Sequence, residues 1–83
     1  MYWNHRVIYR KDLKTGFESF EIHEVYYSKK GKIESWTENA VSPFGENKKE
    51  LKKELNFFKN ALKKPILREK KKGNKVILVK YKD

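Results

Sequence analysis

The chain has 83 residues, of which 37% are hydrophobic and 14% aromatic, and it carries a formal net charge of +10. A chain this short buries only about 60–65% of the surface that its unfolded form exposes, so a few large rings must supply much of the core. Because it has no cysteine and no stretch near the roughly 20 apolar residues of a membrane span, we expect neither disulfides nor a spanning helix, and a cytoplasmic location.

The first predicted elements form a meander over residues 2–37. Residues 2–10 alternate between two sets of side chains with period two and are rich in aromatic and β-branched types, which predicts a strand. A turn that ends at Gly16 leads into a second strand over residues 17–27. Both faces of this second strand carry apolar groups, which predicts that it is the central strand.

A third strand and a connector follow. The short charged turn around Gly31 predicts a tight hairpin into a strand over residues 33–37, anchored by Trp36. Residues 39–46, which include Pro43, interrupt the strand pattern. This connector is long enough to carry the chain from the edge of the sheet onto its face.

Residues 47–63 are predicted to form an amphipathic helix. Asn47 can cap its N-terminus, and Glu50 stands at the spacing of a capping box. Pro65 ends the element, because the residue before a proline resists helical angles. The predicted buried stripe consists of Leu51, Leu55, Phe58 and Leu62.

A basic extension and a last strand occupy residues 66–81. Residues 75–81 have strand character, and two pairings stay open: a hairpin with residues 66–69, or addition to the edge of the meander. We therefore predict a single domain over residues 1–83. Its fold is α+β, a small antiparallel sheet in the order β-β-β-α-β with the helix packed across one face.

The positive charge is confined to the last 36 residues. Residues 1–47 contain seven Lys/Arg and seven Asp/Glu, whereas residues 48–83 contain fourteen Lys/Arg and four Asp/Glu. Such an asymmetry points to a polyanionic partner, RNA or DNA. Thirteen of the fourteen cations are lysine, which lacks the planar fork of arginine. A solvated lysine-rich surface is therefore the competing interpretation.

A non-catalytic module that binds RNA or DNA is the function we predict first. Exposed rings beside lysines are typical of single-stranded nucleic-acid platforms, because rings stack on bases while cations follow phosphates. The candidate residues are Lys63, Lys64, Arg68, Lys70, Lys71, Lys72, Lys75, Tyr9 and Tyr27. The alternative is a protein-interaction module, such as a regulator, inhibitor or antitoxin-like subunit or a homodimer, that acts through its exposed sheet face.

The aromatic side chains divide between a core and an open set. One helix covers one face of the sheet, so rings on the far face need another cover or a partner. Side chains expected in the core are Trp3, Phe20, Ile22 and Trp36. For Tyr2, Tyr9 and Tyr27 the sequence leaves core and partner contact open.

No catalytic or cofactor site is indicated. His5 and His23 are the only histidines, and two ligands without a zinc-type spacing are too few for a metal site. No glycine-rich phosphate loop is present. A small nuclease that uses His23 and Glu24 is the weakest of the alternatives. We expect no enzyme, no cofactor, no membrane partner and no small-molecule ligand.

Three strings of residues form a recognisable pattern: Trp3-Asn4-x-Arg6-Val7, Ile22-His23-Glu24-Val25-Tyr26-Tyr27 and Trp36-Thr37-Glu38. Its remaining positions are Pro43, Gly45, Glu50-Leu51, Leu55 and the ending Ala61-Leu62 before Pro65. In this pattern the chain resembles a group of short uncharacterised bacterial proteins. That group has no known function, so the resemblance implies no site. Its members tend to end near Leu67, often with acidic residues, whereas here a basic extension follows.

Overall fold

The computed structural model describes residues 2–82, which form one helix and a five-stranded mixed sheet. The elements are β1 (Tyr2–Lys11), β2 (Glu18–Tyr27), β3 (Ile33–Trp36), α1 (Lys48–Ala61), β4 (Leu67–Lys72) and β5 (Lys75–Lys80). The predicted α+β fold is confirmed, with one strand more than the predicted order. Within the described part of the chain, no helix is both long and apolar enough to cross a bilayer.

The strand order in the sheet is β3-β2-β1-β4-β5, so the middle strand is β1 and not β2 as predicted. β4 and β5 form an antiparallel hairpin, which is one of the two pairings left open by the sequence. β4 lies parallel to β1 beside Ile8 and Tyr9, so the sheet is mixed and not wholly antiparallel. Helix α1 is the crossover that makes this possible. It carries the chain back along the sheet, so that β4 runs in the same direction as β1.

The hydrophobic core lies on one face of the sheet, which we call the concave face. Its buried side chains are Ile8, Val25, Tyr27 and Leu67. The partly buried side chains packed against them are Ile33, Trp36 and Leu78. Because β3 and β5 are the two outermost strands, their packing on one cluster shows that the sheet curls toward a partly closed barrel.

Helix α1 packs on the opposite, convex face, against β1. Phe58 and Ala61 are its buried apolar side chains, and the Phe58 ring lies 4.4 Å from the ring of His5. The predicted stripe is therefore wrong except at Phe58. Leu55 is 48% exposed, and Leu51 and Leu62 are exposed as well. The core lies inside the curl of the sheet, so the helix has only a narrow surface to cover.

The start of the helix is fixed by local hydrogen bonds. Asn47 caps it as predicted, since its Oδ1 accepts a bond of 2.9 Å from the Glu50 N–H. The Glu50 carboxylate reaches back to the N–H of Glu46, one residue earlier than a capping box requires. Gly45 packs directly on this first turn, where a Cβ would lie 2.8 Å from the Glu50 carbonyl carbon and closer still to the Leu51 nitrogen.

Several aromatic side chains lie in surroundings that differ from the predicted ones. Trp3 and Phe20, which the sequence predicts for the core, are half exposed. Trp36 packs against the core as expected. Tyr27 is buried, its ring stacks on Tyr2 at 4.7 Å, and its hydroxyl accepts a hydrogen bond from Arg6.

Candidate nucleic-acid interface

Three rings meet on the convex face and form what we call the aromatic cluster: Tyr9, Phe20 and Tyr81. Tyr9 and Phe20 are direct partners across β1 and β2, with ring centroids 5.2 Å apart. The Tyr81 ring, just after β5, lies 4.3 Å from Tyr9 and 5.6 Å from Phe20. Phe20 is 53% exposed. The cluster therefore presents an aromatic surface to solvent.

The orientation of Tyr9 within the cluster is fixed by its hydroxyl. This hydroxyl donates a hydrogen bond of 2.6 Å to Glu18 Oε2. The bond to Glu18, followed by desolvation and the Glu18 charge, raises the pKa of Tyr9 to about 12. The hydroxyl therefore stays protonated at neutral pH, and the ring keeps its edge toward Glu18 and its face within the cluster.

Four cations stand beside the cluster on the same face, and we call them the convex cations. Arg68 is the β4 neighbour of Tyr9 in the parallel register. Alternate residues of a strand share a face, so Lys70 and Lys72 follow Arg68, and Lys75 faces Lys72 across the hairpin. All three lysines are exposed, and Arg68 is partly buried. The chain thus places positive charge along one side of the aromatic surface.

The other residues predicted for the site lie elsewhere. Lys71 pairs with Val76 on the opposite side of the hairpin. Lys63 and Lys64 follow the end of the helix, where Lys64 lines a separate groove between α1 and β1. Tyr27 is part of the core and is left out of the interface. The structure brings together Tyr9, Arg68, Lys70, Lys72 and Lys75 from the predicted set.

Sequence reasoning missed two members of the aromatic cluster. The sequence predicts Phe20 in the core, and it predicts Tyr81 on the last strand without a role in the site. The signal for Phe20 was available in the register: a turn over residues 12–17 pairs Tyr9 with Phe20 once the first two strands are aligned. Tyr81 could not be placed, because its neighbours depend on the parallel pairing of β1 and β4.

The one acidic residue of β4 is neutralised on the concave side. Arg10 binds both carboxylate oxygens of Glu69 at 3.1 Å, and Trp36 Nε1 donates to Oε2 at 2.9 Å. Burial tends to raise the pKa of Glu69, but the hydrogen bonds from Trp36 and Arg10 and the Arg10 charge outweigh it. The net pKa is therefore below its ordinary value of 4.5. Glu69 therefore does not oppose the convex cations.

The two histidines do not form a site together. His5 pairs with Glu24 and His23 pairs with Arg6, so the two rings point to opposite faces of the sheet. His23 is fully buried, with Nδ1 2.9 Å from the Thr37 carbonyl oxygen. Among residues 2–82, no three His, Asp or Glu side chains are grouped so that they could hold a metal ion.

Comparisons of the chain with protein-family models, with curated proteins and with solved structures found no match. The resemblance to short bacterial proteins therefore stays a prediction. Function has to be argued from the chemistry of the site itself.

Proposed function

We propose that the convex face binds single-stranded nucleic acid, with bases stacking on the aromatic cluster and phosphates contacting the convex cations. The observation that carries the proposal is the placement of Tyr9, Phe20 and Tyr81 beside a line of four cations on one sheet face. This combination of a stacking surface and adjacent positive charge is what single-stranded binding requires.

The exposed ring favours a single strand over a duplex. Phe20 can only stack on a base whose face is accessible, and the bases of a duplex are covered by their neighbours. Lysine contacts to phosphate position a strand without identifying bases. We therefore expect weak sequence preference.

The charge balance around the site supports the proposal. Residues 66–82 contain seven Lys/Arg and a single acid, Glu69, which is paired with Arg10 on the other face. Glu18 is the acid beside the cluster itself; it accepts a hydrogen bond from the Tyr9 hydroxyl, and its direct partner across β1 and β2 is the cation Lys11. A polyanion approaching the hairpin meets a strongly positive surface, which accelerates and stabilises its association.

Replacing the exposed ring tests the stacking contact. Phe20→Ser should weaken binding of a fluorescein-labelled mixed-sequence RNA by about 5- to 150-fold, since each stacked base contributes about 1–3 kcal/mol. Phe44→Ser is the matched control, because Phe44 is also exposed and lies in the connector before the helix. Fluorescence anisotropy measures both affinities. Equal losses in the two variants, or tighter binding of the duplex form than of the single strand, would argue against the proposal.

A further inference from the structure

The curl of the sheet leaves a groove of about 550 Å³ between its two outermost strands. The side chains and backbone that line it come from the β2–β3 turn, β3 and the first half of β5: Gly31, Lys32, Ile33, Glu34, Trp36 and Lys75–Leu78. β3 and β5 are therefore close enough to border one space. They are not paired with each other in the described sheet.

Backbone groups of β5 point into this space without a strand partner. The Tyr81 N–H donates to the Ile66 carbonyl, so the odd-numbered residues of β5 bond to β4. The N–H and C=O groups of Val76, Leu78 and Lys80 consequently point away from β4. Within residues 2–82, no other strand lies on that side of β5.

The facing edge of β3 is open in the same way. The Thr37 N–H donates to the Glu24 carbonyl, so Thr37 and Ser35 bond to β2. The backbone groups of Trp36 then point outward, toward the groove, whereas the pairing with β2 shifts register between Ser35 and Ile33 and interrupts the alternation at Glu34. Two open strand edges thus border one cleft, and a strand between them would have hydrogen-bonding partners on both sides.

We infer that this groove accepts an extended segment of a partner protein, which adds as a sixth strand between β5 and β3 and closes the barrel. Such strand addition takes its affinity from main-chain hydrogen bonds and its specificity from alternate side chains. The inner alternate positions would be apolar, because they would meet Ile33, Trp36 and Leu78. This site lies apart from the aromatic cluster, although it shares Lys75 with the convex cations, and it goes beyond nucleic-acid binding.

The charges that border the groove select an acidic segment over a second copy of this chain. Lys75 and Lys80 flank the apolar run of β5, and Lys32 lies on the β3 side beside Glu34, so three cations outnumber one acid along this border. A second copy of this chain would bring the same lysines and its own net charge of +10 to this edge, and a net charge far from zero disfavours self-association. Acidic residues at the ends of a partner segment would convert these repulsions into favourable pairs.

Defined peptides test the inference. The probes are capped peptides of roughly seven residues, with valine, isoleucine or leucine alternating with threonine between terminal glutamates. Matched peptides carry terminal lysines instead. We expect the acidic-ended peptides to bind at least about tenfold more tightly in isothermal titration calorimetry. Amide exchange at Val76 and Leu78 should slow on binding, since those N–H groups become hydrogen-bonded.

A substitution on the open edge identifies the mode of binding. Val76→Pro removes an N–H that does not bond to β4, so the fold should persist, while peptide affinity should fall about tenfold or more. Val76→Thr keeps the N–H and the branched shape and should bind within about twofold of wild type. Circular dichroism checks that both variants fold.

A charge exchange provides a second variant that does not depend on proline. In Lys32→Glu/Lys75→Glu the preference should reverse, so that the lysine-ended peptides bind more tightly than the acidic-ended ones. The inference is overturned if no acidic-ended peptide binds wild type, if the two peptide classes bind equally, or if Val76→Pro folds and binds as tightly as Val76→Thr. In each of those cases the edge lysines serve only to discourage aggregation.

Discussion

Phe58 is the residue that attaches the helix to the sheet. Its ring is buried against His5, whereas Leu55, one turn earlier, is 48% exposed. We expect Phe58→Ala to lower the free energy of unfolding by about 3–5 kcal/mol, because a buried ring is lost and a cavity remains. Leu55→Ala should cost about 1 kcal/mol or less. Urea denaturation monitored by circular dichroism gives both values.

The relative cost of Phe58→Ala and Leu55→Ala tests which side of helix α1 faces the sheet. If Leu55→Ala proves the more damaging of the two substitutions, the helix is rotated relative to the structure. The predicted stripe would then be correct, and the exposed side of α1 would have to be assigned anew.

Glu69 gives the stability of the domain a defined pH dependence. Its pKa is lowered in the folded state, so its bonds to Arg10 and Trp36 stabilise the fold above the ordinary pKa of 4.5. That stabilisation is lost as the pH falls through the lower folded-state value. The difference in unfolding free energy between wild type and Glu69→Gln should therefore be positive at pH 7 and shrink toward pH 3.

A surface carboxylate serves as the control for this measurement. Glu21→Gln removes an exposed acid of β2 without affecting the Arg10 contact. The difference in unfolding free energy between wild type and Glu21→Gln should change less between pH 7 and pH 3 than the difference for Glu69→Gln. A pH-independent difference for Glu69→Gln would contradict the ion pair seen in the structure.

At the scale of elements, the junction between the connector and the helix depends on Gly45. A Cβ there would overlap the backbone of the first helical turn at Glu50 and Leu51. We expect Gly45→Ala to destabilise the fold by about 1–3 kcal/mol, as overpacking does. Ser42→Ala, an exposed change in the same connector, should stay within about 0.5 kcal/mol. Thermal unfolding of the two variants measures the difference, and equal melting temperatures would contradict the close packing.

The elements with a clear pattern were predictable from the sequence. Alternation located β1 and β2, and Asn47 located the start of the helix. β4 was less clear, because its residues after Leu67 are all charged and show no alternation of apolar and polar side chains. A strand of this kind is defined by its neighbours in the sheet, which local sequence does not specify.

At the scale of the whole molecule, the curl of the five-stranded sheet decides which side chains are buried. Periodicity predicts that a helix has an apolar side but not how much of it the sheet will cover. Here the core fills the concave face, so Leu55 stays exposed and Phe20 faces solvent. The cations of the candidate site were predictable because Lys and Arg are concentrated in the last 36 residues. Which rings lie beside them depends on the order of the strands in the sheet.

The central claim is that the convex face contacts phosphates, and the salt dependence of binding tests it most directly. Two variants remove the same charge from opposite sides of the hairpin. Lys70→Gln/Lys72→Gln acts beside the aromatic cluster, and Lys71→Gln/Lys80→Gln acts on the other face. For each, the dissociation constant for a labelled single-stranded oligonucleotide is measured by anisotropy from about 50 to 200 mM salt, the range in which counterion release is pronounced.

Each phosphate contact with a single strand contributes about 0.7 to the slope of log affinity against log salt. We expect Lys70→Gln/Lys72→Gln to flatten this slope by about 1.4, and Lys71→Gln/Lys80→Gln to change it by less than about half as much. Phosphate contact by the convex face would be contradicted if the two variants flatten the salt slope equally, or if wild type does not bind at the lowest salt concentration.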